Sequence, residues 1–182
     1  MSTGSSFWAG GLVRLRPIEA LDWEYYATFD RYSTDVRGVS AIGLPKSDET
    51  YQRETHELAD RKPEGDCFSL GIEMVAETIL VGALATFDAD PRTGCFKYGI
   101  AIQQRYQRRH YATEAISILL RYMFGERRYH KCTVEIYDFN KASLALHAGL
   151  GFRQEGRLRE QTYFDGQYHD LILMGLLTEE FR

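Results

Sequence analysis

The 182-residue sequence contains no apolar run approaching the roughly 20 residues that a membrane helix requires. Its Ser/Gly-rich first eleven residues lack the basic start and long apolar centre of a secretory signal. A cytoplasmic protein with no membrane partner is the expectation. Cysteine is scarce: Cys67, Cys95 and Cys132 are odd in number and widely spaced, so they form neither a disulfide frame nor a CxxC metal pair. Buried free thiols are expected, and no bound metal. No Ser-His-Asp arrangement stands out, and the absence of Gly-x-x-x-x-Gly-Lys-Ser/Thr weakens a reading as an ATP-binding protein. A net charge of −4 argues against nonspecific nucleic-acid binding.

What is present is an ordinary globular balance, 44% apolar and 26% charged, in a chain long enough for one core. The expectation is a flexible segment over residues 1–11 and a single domain over 12–182. Charge is unevenly placed. Residues 104–131 carry seven Lys or Arg against two Glu, a local +5 that leaves −9 elsewhere. Such a polarity suits an anionic cofactor and a cationic second substrate.

In chain order, 12–16 alternates and stops at Pro17, which predicts a first strand. Residues 18–29 read as a helix, 30–46 as a long connection, and 47–61 as a second helix with Ser47 as N-cap. Extended segments follow at 67–74, 79–87 and 95–102, then a helix from about 112, a strand over 131–137, a helix from Asn140 to about Leu150, and two strands flanking the Asp165–Gly166 turn. The predicted order is β-α-α-β-β-β-α-β-α-β-β.

The chain is organised around residues 107–124. A polar, cationic stretch, Gln107–Arg108–Arg109–His110–Tyr111–Ala112–Thr113–Glu114, runs into a helix whose apolar positions Ala112, Ala115, Ile116, Leu119, Leu120 and Met123 share a face. At such a junction the first N–H groups lack partners and the helix dipole is positive, which suits a phosphate. The strand Tyr98–Gly99–Ile100–Ala101–Ile102 delivers the loop. Further on, Asn140, Ser143 and His147 fall along one face of the last helix.

These two stretches resemble the GNAT superfamily of acetyl-coenzyme A dependent N-acetyltransferases. There a strand is followed by Q/R-x-x-G-x-G/A, whose amides hold the cofactor's pyrophosphate. The Rim-type branch, which resembles acetyltransferases of ribosomal-protein N-termini, has a local form close to Tyr-Arg-Gly-Lys-Gly-Tyr-Ala-Thr-Glu-Ala. The chain reads Tyr106–Gln107–Arg108–Arg109–His110–Tyr111–Ala112–Thr113–Glu114–Ala115, with His110 at the first glycine of the superfamily motif. Histidine tolerates a positive φ better than most residues, but it obstructs a close approach. Asn140 to Phe152 is similar to Asn-x-x-Ser/Ala-x-x-x-Tyr-x-x-x-Gly-Phe, with His147 at the tyrosine that protonates the departing thiolate.

The resemblance implies a mixed α+β fold, a mostly antiparallel sheet flanked by helices. It implies transfer of acetyl from acetyl-coenzyme A to a primary amine by direct attack, with a protein N-terminus, polyamine, amino sugar or small metabolite as acceptor. A strand N–H among Ile100, Ala101 and Ile102 would polarise the carbonyl, residues 107–113 and Asn140 would contact the cofactor, and His147 or Ser143 would hydrogen-bond the sulfur. Lys97 stands where many relatives have a carboxylate base; Glu73, Asp88 and Glu135 are the candidates to replace it. The last hairpin would border the acceptor. His169 and Asp170 point to opposite strand faces and are not expected to couple. A homodimer is left open as the assembly. A rival reading is a non-catalytic acyl-coenzyme A binding or interaction module, supported by the coincidence of His110, His147 and Lys97.

Overall fold

The computed structural model describes residues 6–182. A single seven-stranded sheet runs through it, built from β1 (Val13–Pro17), β2 (Ser69–Met74), β3 (Ile79–Asp90), β4 (Cys95–Ile102), β5 (Lys131–Tyr137), β6 (Arg153–Phe164) and β7 (Gln167–Leu177). Spatial order is β1-β2-β3-β4-β5-β7-β6, and every pairing is antiparallel except β4 with β5. The helices are α1 (Trp23–Arg31), α2 (Ser33–Val36), α3 (Asp48–Asp60), α4 (Tyr111–Leu120) and α5 (Lys141–Gly149). A mostly antiparallel sheet flanked by helices is the architecture expected from sequence.

Local chemistry explains where elements start and stop. Ser47 caps α3 by accepting the Thr50 N–H at 3.2 Å. The helix expected from residue 18 begins only at Trp23, because Asp22 is drawn elsewhere: its carboxylate accepts both Arg16 Nη groups at 2.8 Å and the Glu19 N–H at 2.8 Å. The connection over 30–46 contains the one-turn α2. Strand β3 continues past Phe87, through a register shift at Asp88 (φ 49°), to Asp90.

Two apolar clusters sandwich β4. The larger holds Ala115, Ile116, Leu119 and Leu120 of α4 against Ile72, Leu84, Ile102, Val134 and Met174, with Leu144 and Leu146 of α5 packed at its border. The smaller joins Tyr25, Phe29 and Val36 to Leu80, Ala83 and Ala101. Of the segment expected to be flexible, residues 1–5 lie outside the described residues. Residues 6–11 carry defined contacts: Trp8 lies 4.6 Å from Tyr122 ring to ring, and the Glu114 carboxylate accepts the N–H groups of Gly11, Leu12 and Val13 at 2.9, 2.8 and 2.7 Å.

Candidate active site

Strands β4 and β5 pair only over Cys95, Phe96 and Lys97 with Lys131, Cys132 and Thr133. Beyond Lys97 they part, and a wedge opens in the middle of the sheet. The direction of each β4 backbone group follows from the register with β3. Gly82 faces Ile102, and Gln103 N–H donates to Val81 C=O at 3.0 Å, so residues 103, 101 and 99 bond toward β3. Residues 100 and 102 therefore turn their N–H groups into the wedge. Ala101, one of the three strand residues expected to touch the cofactor, spends its backbone on Ala83 instead. The Ile102 carbonyl is also engaged, accepting Gln107 Nε2 at 2.9 Å. Gln107 thus braces the loop with its side chain.

The loop between β4 and α4 takes its shape from two left-handed residues, Arg108 (φ 61°) and His110 (φ 63°). His110 stands at the superfamily glycine and adopts the conformation that glycine serves. Arg108, at the first glycine of the Rim-type form, does the same, which the sequence reading did not single out. Among the described residues, the amides of Arg108 to Thr113 have no protein acceptor; intrahelical bonding begins at Glu114 N–H to His110 C=O, 3.0 Å. This run of free donors at a helix N-terminus is an anion nest. Tyr111 is buried and its hydroxyl lies 2.8 Å from the Met74 sulfur, so only its amide is available. Arg108 and Arg109 are exposed beside it. Three other cations of the basic stretch are occupied: Arg127 with Asp66, Lys131 with Glu155, Arg121 over Phe7.

Helix α5 carries the expected polar line. Asn140 Oδ1 accepts the Ser143 N–H at 3.0 Å, and its Nδ2 donates to Gly38 C=O at 2.9 Å. Both ends of that side chain are used, for a cap and for tethering the loop after α2. One turn on, Ser143 Oγ lies 3.3 Å from His147 Nδ1, and that nitrogen lies 2.8 Å from the Ser143 carbonyl. A nitrogen so close to a carbonyl oxygen carries the ring proton, which makes Nε2 the acceptor of the neutral imidazole. His147 is 3% exposed, its ring 5.9 Å from Tyr98 and 5.2 Å from Phe152. Burial lowers its pKa below 6.5, against the opposing pull of the Ser143 carbonyl. His147 Nε2 and the Tyr98 hydroxyl are both buried without a partner. Burial also pushes the Tyr98 phenol well above 10, so it stays protonated.

The wedge, the amide nest and the unpartnered polar atoms near its closed end together fit a long acyl carrier with an anionic end.

On the sheet face that carries Lys97, ion pairs dominate. Lys97 Nζ lies 2.8 Å from Glu135 Oε1 and 3.2 Å from Asp88 Oδ2, and these bonds raise its pKa, Glu135 first. Glu73 is buried and held by Arg14 and Arg16, two strands away. Past the end of β5, Tyr137, Phe139, Phe164 and His169 stack together. His169 and Asp170 do part company: His169 Nδ1 meets Asp138 Oδ1 at 3.2 Å, and Asp170 takes Arg157. Arg37 bonds Asp165 at 2.6 Å and lies over Phe164, clipping the loop after α2 to the last hairpin. Sequence reasoning missed this clip and the Asp138 partner, since both depend on contacts across more than 30 residues.

Comparison with known proteins bears directly on this geometry. Residues 13–153 match the family model described as Acetyltransferase (GNAT) domain. The chain is 32% identical over 177 residues to the SPbeta prophage-derived uncharacterized N-acetyltransferase YokL of Bacillus subtilis (strain 168), covering 97% of this chain and 96% of the relative. It is 30% identical over 121 residues to the [Ribosomal protein uS5]-alanine N-acetyltransferase of Escherichia coli (strain K12), 65% of this chain and 61% of that one. In fold it is similar to an acetyltransferase (GNAT family) from Bacillus anthracis, at a TM-score of 0.80 and 20% identity, over 94% of this chain and 98% of the other. With three quarters of its length matched by the family model, and with a wedge and nest suited to the cosubstrate, the chain belongs to the GNAT acetyltransferases, which transfer acetyl from acetyl-coenzyme A to an amine.

Proposed function

We propose that the chain is a Rim-type N-acetyltransferase, one domain over residues 12–182, that acetylates a primary amine in the cytoplasm. The similarity to the uS5-alanine enzyme supports a protein N-terminus as the acceptor to test first, ahead of a polyamine, amino sugar or small metabolite. Three free cysteines support a reducing compartment. Exposed Ile42, Leu44, Tyr163 and Tyr168 support a homodimer as the assembly.

The observation that carries the site assignment is the unspent backbone: the Arg108–Thr113 amides and the wedge-facing N–H groups of Ile100 and Ile102. In this reading the nest and Arg108 and Arg109 hold the pyrophosphate, and Tyr111, Ala112 and Thr113 contribute only amides. Acetyl-coenzyme A supplies the thioester. The Ile100 N–H polarises its carbonyl as charge builds on oxygen. Ser143 and His147 serve the sulfur. Neutral His147 offers Nε2 as an acceptor only, so it donates as imidazolium in mild acid, and the Ser143 hydroxyl is the donor at higher pH. Asn140 acts by positioning, through the α5 cap and the Gly38 tether.

The test is release of free coenzyme A thiol from acetyl-coenzyme A across a panel holding a peptide with an N-terminal alanine, spermidine, glucosamine and a small alkylamine. Turnover fastest with the peptide is expected. Turnover with spermidine alone would reject the Rim-type assignment, and binding without turnover of any amine would favour a non-catalytic module.

A further inference from the structure

Direct attack requires an amine that arrives as ammonium to lose a proton, and no residue described so far receives it. At the apex of the wedge three charged side chains from three strands meet on one sheet face. Lys97 and Thr133 form the last β4–β5 pair. Two residues further along each strand come Gly99 and Glu135, which alternation places on the same face as Lys97. Glu135 is therefore the first carboxylate beyond the point where the strands part, and in register it faces the residue that precedes the Ile100 amide. Gly99 keeps the surface open between them. A Cβ there would meet only the edge of Phe87, at 3.7 Å.

We infer that Glu135, held in place by Lys97, receives the proton of the acceptor amine, directly or through a bound water. The inference rests on the acetyl-transfer reading of this site. The cation of the pair, Lys97, stands on β4 and the carboxylate, Glu135, across the wedge on β5. The pair is fixed: Lys97 Nζ to Glu135 Oε1 is 2.8 Å, and the Glu135 side chain keeps 39% of its surface open. Lys97 bonds one carboxylate oxygen, which leaves Oε2 for a proton.

The other carboxylates are less suited. Glu73, on β2, is enclosed by Arg14 and Arg16 of β1. Asp88 sits on the bulge of β3, is 67% exposed, and reaches the site only through Lys97.

The step balances. The first ammonium N–H bond breaks with its proton going to Glu135 and its electron pair remaining on nitrogen; nitrogen then bonds the thioester carbon, and the C–S pair leaves with sulfur. The nitrogen, still carrying one proton more than an amide holds, gives that second proton up as the amide forms, the thiolate takes up one proton to become coenzyme A thiol, and the proton on Glu135 passes to solvent, so ammonium and thioester give amide, thiol and one proton.

Because the group acts on a proton, its removal must matter in proportion to how firmly the amine holds that proton. At pH 7 a lysine-type amine, pKa about 10.4, is almost wholly protonated, whereas a peptide α-amine, pKa about 7.8, is partly free. Glu135→Gln should lower kcat/KM about 100-fold with a lysine-type amine and at least about tenfold less with an α-amine, and the deficit should shrink as pH rises toward 10. KM for acetyl-coenzyme A should not move. Glu135→Gln should melt within about 2 °C of wild type, which separates a lost step from a lost fold. A Glu135→Gln deficit that is absent, or equal for both amines at all pH values, overturns the inference while leaving acetyl transfer intact. A wild-type chain that turns over neither amine overturns both.

Discussion

The two sides of the wedge are built from different materials. In the proposed site the polar groups of the coenzyme side are mostly backbone: the six amides of residues 108–113 and the β4 edge, with His147 and Ser143 the principal side chains. On the acceptor side they are charged side chains already paired with one another, Lys97 with Glu135 and Asp88, Arg37 with Asp165, His169 with Asp138. A backbone site tolerates changes of sequence as long as the loop keeps its conformation. A side-chain site changes character with each substitution.

The sharpest way to break the comparison is to remove a backbone donor. Ile100→Pro deletes an N–H that faces the wedge, and the preceding Gly99 accommodates the proline. It should fold and lose about 100-fold or more in kcat, the usual effect of one oxyanion donor. Ala101→Pro deletes an N–H bonded to β3 and leaves its acceptor unpaired, which should cost about 1–3 kcal/mol, with the loss read from thermal unfolding. Equal stability of the two variants would contradict the assignment of backbone direction along β4.

His147 sharpens the comparison, because it is a buried imidazole on the backbone-built side. His147→Phe should reduce kcat about tenfold or more at pH values acid enough to protonate the wild-type imidazole, below 6.5, with less effect near pH 8, where it is neutral and Ser143 carries the donation. Affinity for the coenzyme should stay near wild type. The same residue predicts a stability slope. Its folded pKa is lowered by burial, so the unfolded chain takes up a proton more readily; stability is full above about pH 6.5 and declines as pH falls below it. His147→Phe should flatten that decline. A kcat within twofold of wild type across the range removes His147 from the chemistry.

The smallest effect belongs to His110. A non-glycine residue in the left-handed region bears a strain of about 1 kcal/mol, so His110→Gly should retain or slightly raise both stability and coenzyme affinity, whereas a β-branched His110→Val should weaken both. A marked loss in the glycine variant would mean that the imidazole itself contributes to the site.

Legibility from sequence followed the same division. The order of strands and the bounds of β4 and β5 were readable because alternation and flanking turns are local signals. The loop was readable because an orphaned helix start follows from position alone. His110's positive φ was foreseeable from the glycine it replaces, and Arg108's could have been by the same argument. The free edge of β4 was not. Which of Ile100, Ala101 and Ile102 faces the wedge depends on register with β3, and register is a tertiary property. Asn140 reads as a cofactor contact because it shares a helix face with Ser143 and His147 and matches the family's asparagine; in the structure its amide nitrogen is bonded to Gly38, 102 residues away, a contact that no local pattern shows. The ion pairs of the acceptor side join residues far apart in the chain, so only Lys97's anomaly hinted at them.

The central claim is that the free amides of residues 108–113 and the β4 edge form the coenzyme site, and thermal unfolding with desulfo-coenzyme A tests it most directly. This analogue has the phosphates and the arm but lacks sulfur chemistry. At about 100 times its dissociation constant it should stabilise the fold by about 2.7 kcal/mol, a rise in Tm of roughly 5–10 °C for a chain of this size, and Arg108→Ala with Arg109→Ala should reduce the rise without removing it. An unchanged Tm at concentrations far above micromolar, or a rise abolished outright by the two arginine substitutions, would contradict a site built from backbone.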